Sequence, residues 1–216
     1  MKPLLILPGW GFSPHCFQAI PDHRIPDISY AAAWHLDPEP WIAYAKAHAP
    51  LDCLAFSLGG HMLSQWLPQL APYLDHIYLV GVSPHYDPKT LTRFKKTIVK
   101  NPSAVLDNFH TACFQDPSEY RRFHDYFQPH CRAMWSGPDL IQGLDQLNQP
   151  FHVKPLAEWT NLTLYHGQQD AIAPLRATQT LATALHTPCK TLNTGHFPFL
   201  NEAFQHALSQ HRIAHV

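Results

Sequence analysis

Three residues of the sequence have the types and the order that nucleophilic catalysis needs. Ser57 lies in LAFSLGG (54–60), Asp170 in HGQQD (166–170) and His196 in NTGH (193–196). A serine hydroxyl becomes a good nucleophile when a histidine accepts its proton and a carboxylate fixes the tautomer of that histidine. Serine, acid and histidine follow one another here in one of the chain orders known for such triads. We therefore predict acyl transfer, with Ser57 as nucleophile, Asp170 as acid and His196 as base.

Each of these residues also has a simpler interpretation. Ser57 could be an ordinary helix N-cap in a strand-to-helix turn, and Asp170 could cap a helix that starts near Pro174. His196 could be one loop histidine among the 17 in the chain. All three in this order, each just after a predicted strand, favour the catalytic interpretation.

The residues around Ser57 predict a sharp turn between a strand and a helix. Such a turn holds the serine in strained dihedral angles, with its hydroxyl projecting above the sheet. The residues two before and two after the serine approach each other, so both must be small. Gly59 meets this requirement fully, and Ala55 adds one methyl group where glycine is more usual.

The oxyanion of an acyl-transfer intermediate needs two hydrogen-bond donors. The backbone N–H of Leu58, at the predicted start of the helix, is one candidate. The other is the backbone N–H of Trp10 in LPGWGF (7–12), where Gly9 and Gly11 would let the loop approach closely. Trp10 could alternatively serve only as an aromatic cover for the core.

The elements that must position these residues are strands and helices in alternation. Runs of consecutive apolar residues predict parallel strands that are buried on both faces. Apolar residues at helical spacing predict helices between these strands, and the helix that follows Gly60 should end or kink at Pro68. We expect an α/β fold, a mostly parallel sheet flanked by helices with right-handed crossovers. The predicted strands are PLLILPG, LDCLAFS (51–57), HIYLVGVSP (76–84), NLTLYHG (161–167) and CKTLNTGH (189–196).

One segment breaks this alternation. Residues 84–159 contain no convincing strand and several amphipathic helical pieces. We predict that they form a helical lid inserted into a core made of residues 1–83 and 160–216.

The motifs PGWG, FSLGG, HGQQD and GHFPF give the chain a resemblance to the α/β-hydrolase superfamily over nearly its full length. Within it, LPGWGFSPHCF, VGVSPHY and DLIQGLDQLNQPFHVKPLAEWTNLTLYHGQQDAIAP look most like the pimeloyl-[acyl-carrier protein] methyl ester esterases of biotin synthesis. The resemblance implies the same triad and the same oxyanion donors, Trp10 and Leu58. Two departures are Ala55 and an expected smaller sheet without the amino-terminal hairpin common in the superfamily.

The lid carries an independent indication of substrate. Between Lys89 and Arg132 there are eight basic and four acidic residues. A basic lid would attract an acidic acyl carrier protein, with Arg121 and Arg122 as contact residues. A merely solvated helix face is the alternative. Phe94, Phe109 and Phe114 could line an acyl channel, although aromatic residues at this spacing are more often plain core.

Composition narrows the other possibilities. The 216 residues are 45% hydrophobic with a net charge of −1, which gives no support to nucleic-acid binding. Five scattered cysteines without a Cys-x-x-Cys pair argue against a disulfide framework and favour the cytoplasm. The most metal-like stretch, His124, Asp125, His130 and Cys131, lacks a recognisable ligand spacing. We expect no metal, no cofactor, no signal peptide, no membrane span and a monomer.

Three functions therefore remain open. The first is a serine esterase for the methyl ester of pimeloyl-acyl carrier protein. The second is a broad carboxylesterase or thioesterase for small acyl groups. The third is a binding protein that has kept the fold without the chemistry.

Overall fold

The computed structural model describes residues 2–20, 23–24 and 37–214. Its centre is a sheet in which all the described strands run parallel, in the order β2-β1-β3-β4-β5-β6. The bounds of the strands are β1 Leu4–Leu7, β2 His23–Arg24, β3 Leu51–Phe56, β4 Leu74–Val80, β5 Leu162–Gly167 and β6 Cys189–Leu192.

The apolar runs form the centre of this sheet because both of its faces are covered. Every residue of β1, β3 and β5 is buried. Parallel pairing places Leu7 beside Ala55 and Phe56 beside Val80. The carboxyl ends of β1, β3 and β4 therefore lie side by side, which is where a parallel sheet collects functional groups.

Helices fill the connections between the strands. α2 contacts β1, β3 and β4, and α9 contacts β5 and β6. The described α-helices are α1 Glu39–His48, α2 Leu58–Leu70, α3 Pro88–Lys100, α4 Pro102–Ala112, α5 Pro117–Tyr126, α6 Gln128–Met134, α7 Gly137–Leu147, α8 Val153–Ala157, α9 Leu175–Ala184 and α10 Glu202–Ala214. None of these described helices has the length and apolar character that a membrane crossing requires.

The segment between β4 and β5 is helical, as the sequence predicts, and we call α3–α8 the lid. Four of its helices begin with an N-cap side chain followed by proline within two residues. The caps are Asp87, Asn101, Asp116 and Ser136. Each cap accepts a hydrogen bond from a backbone N–H of the first turn, and proline loses nothing there because its missing N–H would have no partner. Many of the prolines thus mark helix starts.

Two local expectations are modified. Pro68 does not end its helix at once, since α2 continues through it to Leu70 and a 3-10 helix, Ala71–Tyr73, follows. The lid is also joined closely to the sheet. Its apolar side chains, such as Ile98 and Phe123, belong to the same buried cluster as β1 and β3.

Candidate active site

Ser57 lies in the sharp turn between β3 and α2. Its dihedral angles, φ 51° and ψ −112°, are in a region that non-glycine residues rarely occupy. Its N–H donates to the Val80 carbonyl at 2.9 Å, which anchors the turn to β4. A Cβ atom on Gly59 would lie 2.1 Å from the Leu7 carbonyl oxygen, so only glycine fits there. The backbone geometry is that of a nucleophile elbow.

The structure brings the three predicted residues together in one hydrogen-bonded chain. The Ser57 hydroxyl donates to Nε2 of His196 at 3.0 Å. Nδ1 of His196 donates to Oδ2 of Asp170 at 2.7 Å. Ser57 and His196 are 3% and 1% exposed, and the Asp170 side chain is fully buried. This arrangement allows proton transfer from Ser57 to His196, with a carboxylate beside the imidazole.

The Asp170 carboxylate has further partners that hold its orientation. Oδ1 accepts the N–H groups of Ile172 and Ala173, both at 2.8 Å. Burial alone would raise the pKa of Asp170, but His196 and the hydrogen bonds outweigh burial and hold the pKa below its ordinary value. Asp170 therefore remains ionised beside His196 at neutral pH.

His166 is a contact of Asp170 that the sequence analysis missed. It is the first residue of HGQQD and is buried on β5, with Nε2 3.4 Å from Oδ2 of Asp170. Nε2 donates to the Ala173 carbonyl at 2.8 Å, and Nδ1 lies 3.0 Å from the Thr178 hydroxyl. Burial lowers the pKa of His166, so the ring stays neutral. Its position in the HGQQD motif was the feature of the sequence that could have identified it.

The loop that holds His196 is built from close backbone contacts. A Cβ atom on Gly167 would lie 2.1 Å from the Gly195 oxygen, and one on Gly195 would lie 2.4 Å from the carbonyl oxygen of Cys113 in the lid. The Phe197 N–H donates to the same Cys113 carbonyl at 3.2 Å. The lid is therefore part of the support of the histidine.

Trp10 lies in the loop after β1, and Leu58 directly follows Ser57 in the chain. Leu58 is the first residue of α2, where an N–H has no acceptor within the helix. No backbone hydrogen bond among the described residues uses the N–H of Trp10. The Trp10 indole donates to the Leu140 carbonyl of α7 at 2.7 Å, and a Cβ atom on Gly143 would lie 2.5 Å from the indole. The lid thus fixes the loop that carries one predicted oxyanion donor.

Tyr86 is a second residue near Ser57 that the sequence analysis did not select. Its hydroxyl is buried and has no hydrogen-bond partner among the described residues. Burial raises the pKa of Tyr86, and the Ser57 hydroxyl is close enough to counteract part of that rise. A buried hydroxyl without a partner is costly, which makes Tyr86 a candidate donor to a bound substrate.

A cavity of about 240 Å³ lies between α3, α4 and the loop after β5. Phe94 and Phe109 line it together with Ile172, two residues from Asp170. The Phe109 ring centroid is 4.7 Å from that of Trp10 and 6.4 Å from that of His196, so this wall adjoins the candidate site. The remaining lining residues are Arg93, Thr97, Val105, Asn108 and Ala112.

The other three predicted substrate contacts lie outside this cavity lining. Phe114 packs against Phe123 and Phe197, at centroid distances of 5.0 and 5.5 Å, and belongs to an aromatic part of the core. Arg121 and Arg122 are exposed on α5. The physical reason is packing: α5 turns Phe123 toward the core and its arginines toward solvent.

A different group of basic residues adjoins the cavity. They are exposed, lie on α3 and recur at helical spacing, so they share one face, which we call the basic stripe: Lys89, Arg93, Lys96 and Lys100. Two other basic residues of the lid are engaged with acids. Lys95 pairs with Asp145, and Arg132 binds Asp107 at 2.7 Å. The basic stripe therefore places four exposed positive charges beside the cavity.

Within the described residues, no cluster of three or more potential ligands could hold a metal ion. The four residues of the metal-like stretch take part in three separate contacts. His124 binds Asp125 at 2.9 Å, the His130 ring stacks on His15 at 4.1 Å, and Cys131 contacts Cys16.

Solved structures with the same architecture cover nearly the whole chain. An esterase from Exiguobacterium antarcticum superposes with a TM-score of 0.78 at 17% identity, covering 98% of this chain and 91% of its own. A bromoperoxidase from Bacillus anthracis gives a TM-score of 0.77 at 15% identity, covering 97% and 91%. The enol-lactonase from Burkholderia xenovorans LB400 gives 0.75 at 11% identity, covering 100% and 91%.

These similarities establish the fold, which is that of the α/β-hydrolases. No protein-family model matches the sequence, and no curated protein matches it. At 11–17% identity, the similarity does not assign the activities of those proteins to this chain.

Proposed function

We propose that the protein is a serine esterase. The observation that carries this proposal is the chain of hydrogen bonds from Ser57 through His196 to Asp170, at 3.0 and 2.7 Å, on an elbow at the carboxyl end of β3. Esterases among the structures with this fold support the same reaction class.

In the proposed reaction, the Ser57 oxygen attacks the ester carbonyl carbon while its proton passes to Nε2 of His196. The backbone N–H groups of Trp10 and Leu58 bind the oxyanion that forms. His196 then gives the proton to the departing alkoxide, which leaves as the alcohol. Water, activated by the same histidine, releases the acid from the acyl-enzyme and restores Ser57.

The cavity between α3 and α4 supports an acyl group of limited size. Its volume of about 240 Å³ is below the usual range for drug-sized ligands. Phe109 and Ile172 give it an apolar wall near the catalytic residues, while Arg93 and Asn108 supply polar groups. An unbranched acyl chain whose far end carries a polar or anionic group fits this lining.

Within this class, we propose the methyl ester of pimeloyl-acyl carrier protein as substrate, on the basis of the sequence resemblance and the charge of the lid. The basic stripe on α3 would receive the acidic carrier, because Arg93 belongs both to the stripe and to the cavity lining. Arg121 and Arg122 remain an alternative contact on α5. A broad carboxylesterase or thioesterase is the competing function, and a binding protein without chemistry is the third.

The first experiment measures the intact mass of pimeloyl-acyl carrier protein methyl ester after incubation with the wild type and with Ser57→Ala. The substrate should lose one methylene mass with the wild type only. If neither protein changes the mass, a fluorophosphonate label on Ser57 separates another esterase, which takes the label, from a non-catalytic protein, which does not.

Charge reversal then tests the carrier surface. Lys89→Glu with Lys96→Glu, two residues of the basic stripe outside the cavity lining, should reduce kcat/KM for the carrier-bound ester by about tenfold or more, while hydrolysis of a small p-nitrophenyl ester changes little. Arg121→Glu with Arg122→Glu is the matched control on α5. If this control pair alone lowers the carrier rate, the carrier docks on α5 and not on the basic stripe.

A further inference from the structure

Two buried thiols from distant parts of the chain meet beside the candidate site. Cys16 lies in the 3-10 helix Pro14–Phe17, shortly after the loop of Trp10, and Cys131 lies in lid helix α6. Their Sγ atoms are 3.4 Å apart, although 115 positions separate the residues. Both are free thiols and both are fully buried. A disulfide bond of about 2.05 Å would require the sulfurs to approach by only about 1.3 Å.

His110 lies next to this pair and also contacts the loop of Trp10. Nε2 of His110 lies 2.9 Å from the Gly11 carbonyl oxygen, which can only accept, so Nε2 carries the proton. In the neutral imidazole, Nδ1 is then the nitrogen with the lone pair. It is buried and has no hydrogen-bond partner among the described residues. His110 is close enough to Cys131 to lower the pKa of its thiol.

The two thiols differ in character. Burial would raise the pKa of both. For Cys131, the hydrogen bond with Cys16 and the influence of His110 outweigh burial, and the pKa falls well below the ordinary value of cysteine. Burial and the neighbouring Cys131 raise the pKa of Cys16. The lowered pKa favours Cys131 over Cys16 as the first sulfur to react, and Cys16 lies 3.4 Å away to react second.

We propose that Cys16 and Cys131 form an oxidisable dithiol, a modification site whose co-reactant is a hydroperoxide. The Cys131 thiolate attacks one peroxide oxygen, the O–O bond breaks, and the departing oxygen leaves as water or an alcohol after protonation. The sulfenic acid on Cys131 is then attacked by the Cys16 sulfur. Water leaves, and a disulfide forms. Two thiols are oxidised by two electrons and one peroxide is reduced.

The expected consequence is a covalent link between the lid and the core. The link would join α6 to the segment that follows the loop of Trp10, while His110 already joins α4 to Gly11 of the same loop. Ser57 is 3% exposed, and we expect the lid to move when substrate enters. Oxidation should therefore slow substrate entry. This consequence rests on the proposed esterase function, whereas the disulfide itself does not.

The test treats the intact protein with hydrogen peroxide, blocks the remaining thiols with N-ethylmaleimide and maps tryptic peptides. Trypsin should leave Cys16 in residues 1–24 and Cys131 in residues 123–132. Oxidised wild type should contain these two peptides joined, with the loss of two hydrogen masses, and dithiothreitol should separate them. Cys189→Ser, at a half-buried thiol on β6, is the matched control and should give the same joined peptides.

Single variants test the order of the two thiols. In Cys16→Ser, Cys131 should accumulate as a sulfenic acid that dimedone traps, whereas in Cys131→Ser, Cys16 should remain unlabelled. These readouts use the protein's mass and do not depend on activity. Oxidised wild type should also hydrolyse a p-nitrophenyl ester about tenfold more slowly, with recovery after reduction.

Several results would overturn the proposal. Oxidation of Cys131 to the sulfinic acid while Cys16 stays a thiol would exclude the disulfide, as would a joined peptide that contains Cys189. Equal dimedone labelling of Cys16 and Cys131 in the two single variants would exclude the assigned order. A disulfide without any change in the ester rate would exclude the effect on the lid.

Discussion

The change Asp170→Asn tests the catalytic assignment through a predicted change of tautomer. In the wild type, Oδ1 of Asp170 accepts two N–H groups, from Ile172 and Ala173, and Oδ2 accepts the proton on Nδ1 of His196. An asparagine must keep its oxygen on the two N–H groups, because its NH2 group cannot accept them. The NH2 group then faces His196 and donates to Nδ1.

This reversal moves the histidine proton to the wrong nitrogen. With Nδ1 accepting, the neutral imidazole carries its proton on Nε2, which lies 3.0 Å from the Ser57 hydroxyl. It can no longer take the proton of Ser57. The same change in a serine protease lowers kcat by about 10⁴, which corresponds to about 5.5 kcal/mol of transition-state stabilisation. We expect a loss of that order.

The assay is p-nitrophenyl acetate hydrolysis, with melting temperature and circular dichroism as measures of folding. Asp125→Asn, at an exposed aspartate of α5, is the matched control and should retain full activity. A folded Asp170→Asn protein that keeps more than about a tenth of the wild-type kcat would refute the reasoning, because the tautomer would then not limit catalysis.

The pKa of Asp170 gives this variant a second signature. A carboxyl group whose pKa is lowered by folding adds stability that is present above its unfolded pKa and is lost as the pH falls through the folded value. Asparagine has no such group. The difference in the free energy of unfolding between wild type and Asp170→Asn should therefore shrink on acidification below about pH 4. A difference that grows in urea titrations at acid pH would contradict the lowered pKa.

Three further changes test the surroundings of the site. Gly143→Ala places a methyl group 2.5 Å from the Trp10 indole. It should destabilise the protein by about 1–3 kcal/mol in urea titrations and lower kcat by displacing the loop of Trp10. An unchanged kcat would show that the lid does not position this loop. Tyr86→Phe should leave the melting temperature unchanged or raise it, because the lost hydroxyl has no hydrogen-bond partner among the described residues. If the hydroxyl binds substrate, kcat/KM should fall by about tenfold. Full activity would show that Tyr86 does not bind substrate. His61 is buried on α2, where its Nε2 donates to the Ser83 carbonyl at 2.9 Å, and burial lowers its pKa from 6.5 to about 4. As the pH falls, the unfolded chain therefore takes up the proton on His61 before the folded protein does. Between pH 6.5 and pH 4, the free energy of unfolding of the wild type should fall by about 3 kcal/mol more than that of His61→Gln. An equal fall in the two proteins would contradict the lowered pKa.

The sequence predicted the fold because its signals are local. Doubly buried strands such as β1 and β5 are continuous apolar runs, and the lid helices start at cap-and-proline pairs such as Asp87 and Pro88. The expected α/β architecture with a helical lid is confirmed. The meeting of Ser57, Asp170 and His196 follows from the same logic, because the carboxyl ends of parallel strands share one edge of the sheet.

Side-chain directions within the lid were less predictable. Phe94 and Phe109 lie on α3 and α4 and line the cavity, whereas Phe114 lies two residues beyond the end of α4 and packs in the core. Which face of a short helix meets the sheet depends on contacts with distant parts of the chain. The pairing of Cys16 with Cys131 across 115 positions has the same origin, and no periodicity of the sequence contains it. The chemical roles of the catalytic residues stay predictions.

The contact between the Cys113 carbonyl and the loop of Gly195 and Phe197 affects how this protein could be redesigned. Exchange of lids between proteins of this fold is an attractive route to new substrates, on the assumption that the lid is a separable module. Here the lid backbone supports the loop that holds His196. A transplanted lid would need to reproduce the Cys113 carbonyl, or the loop from Thr194 to Phe197 would have to be transferred with it.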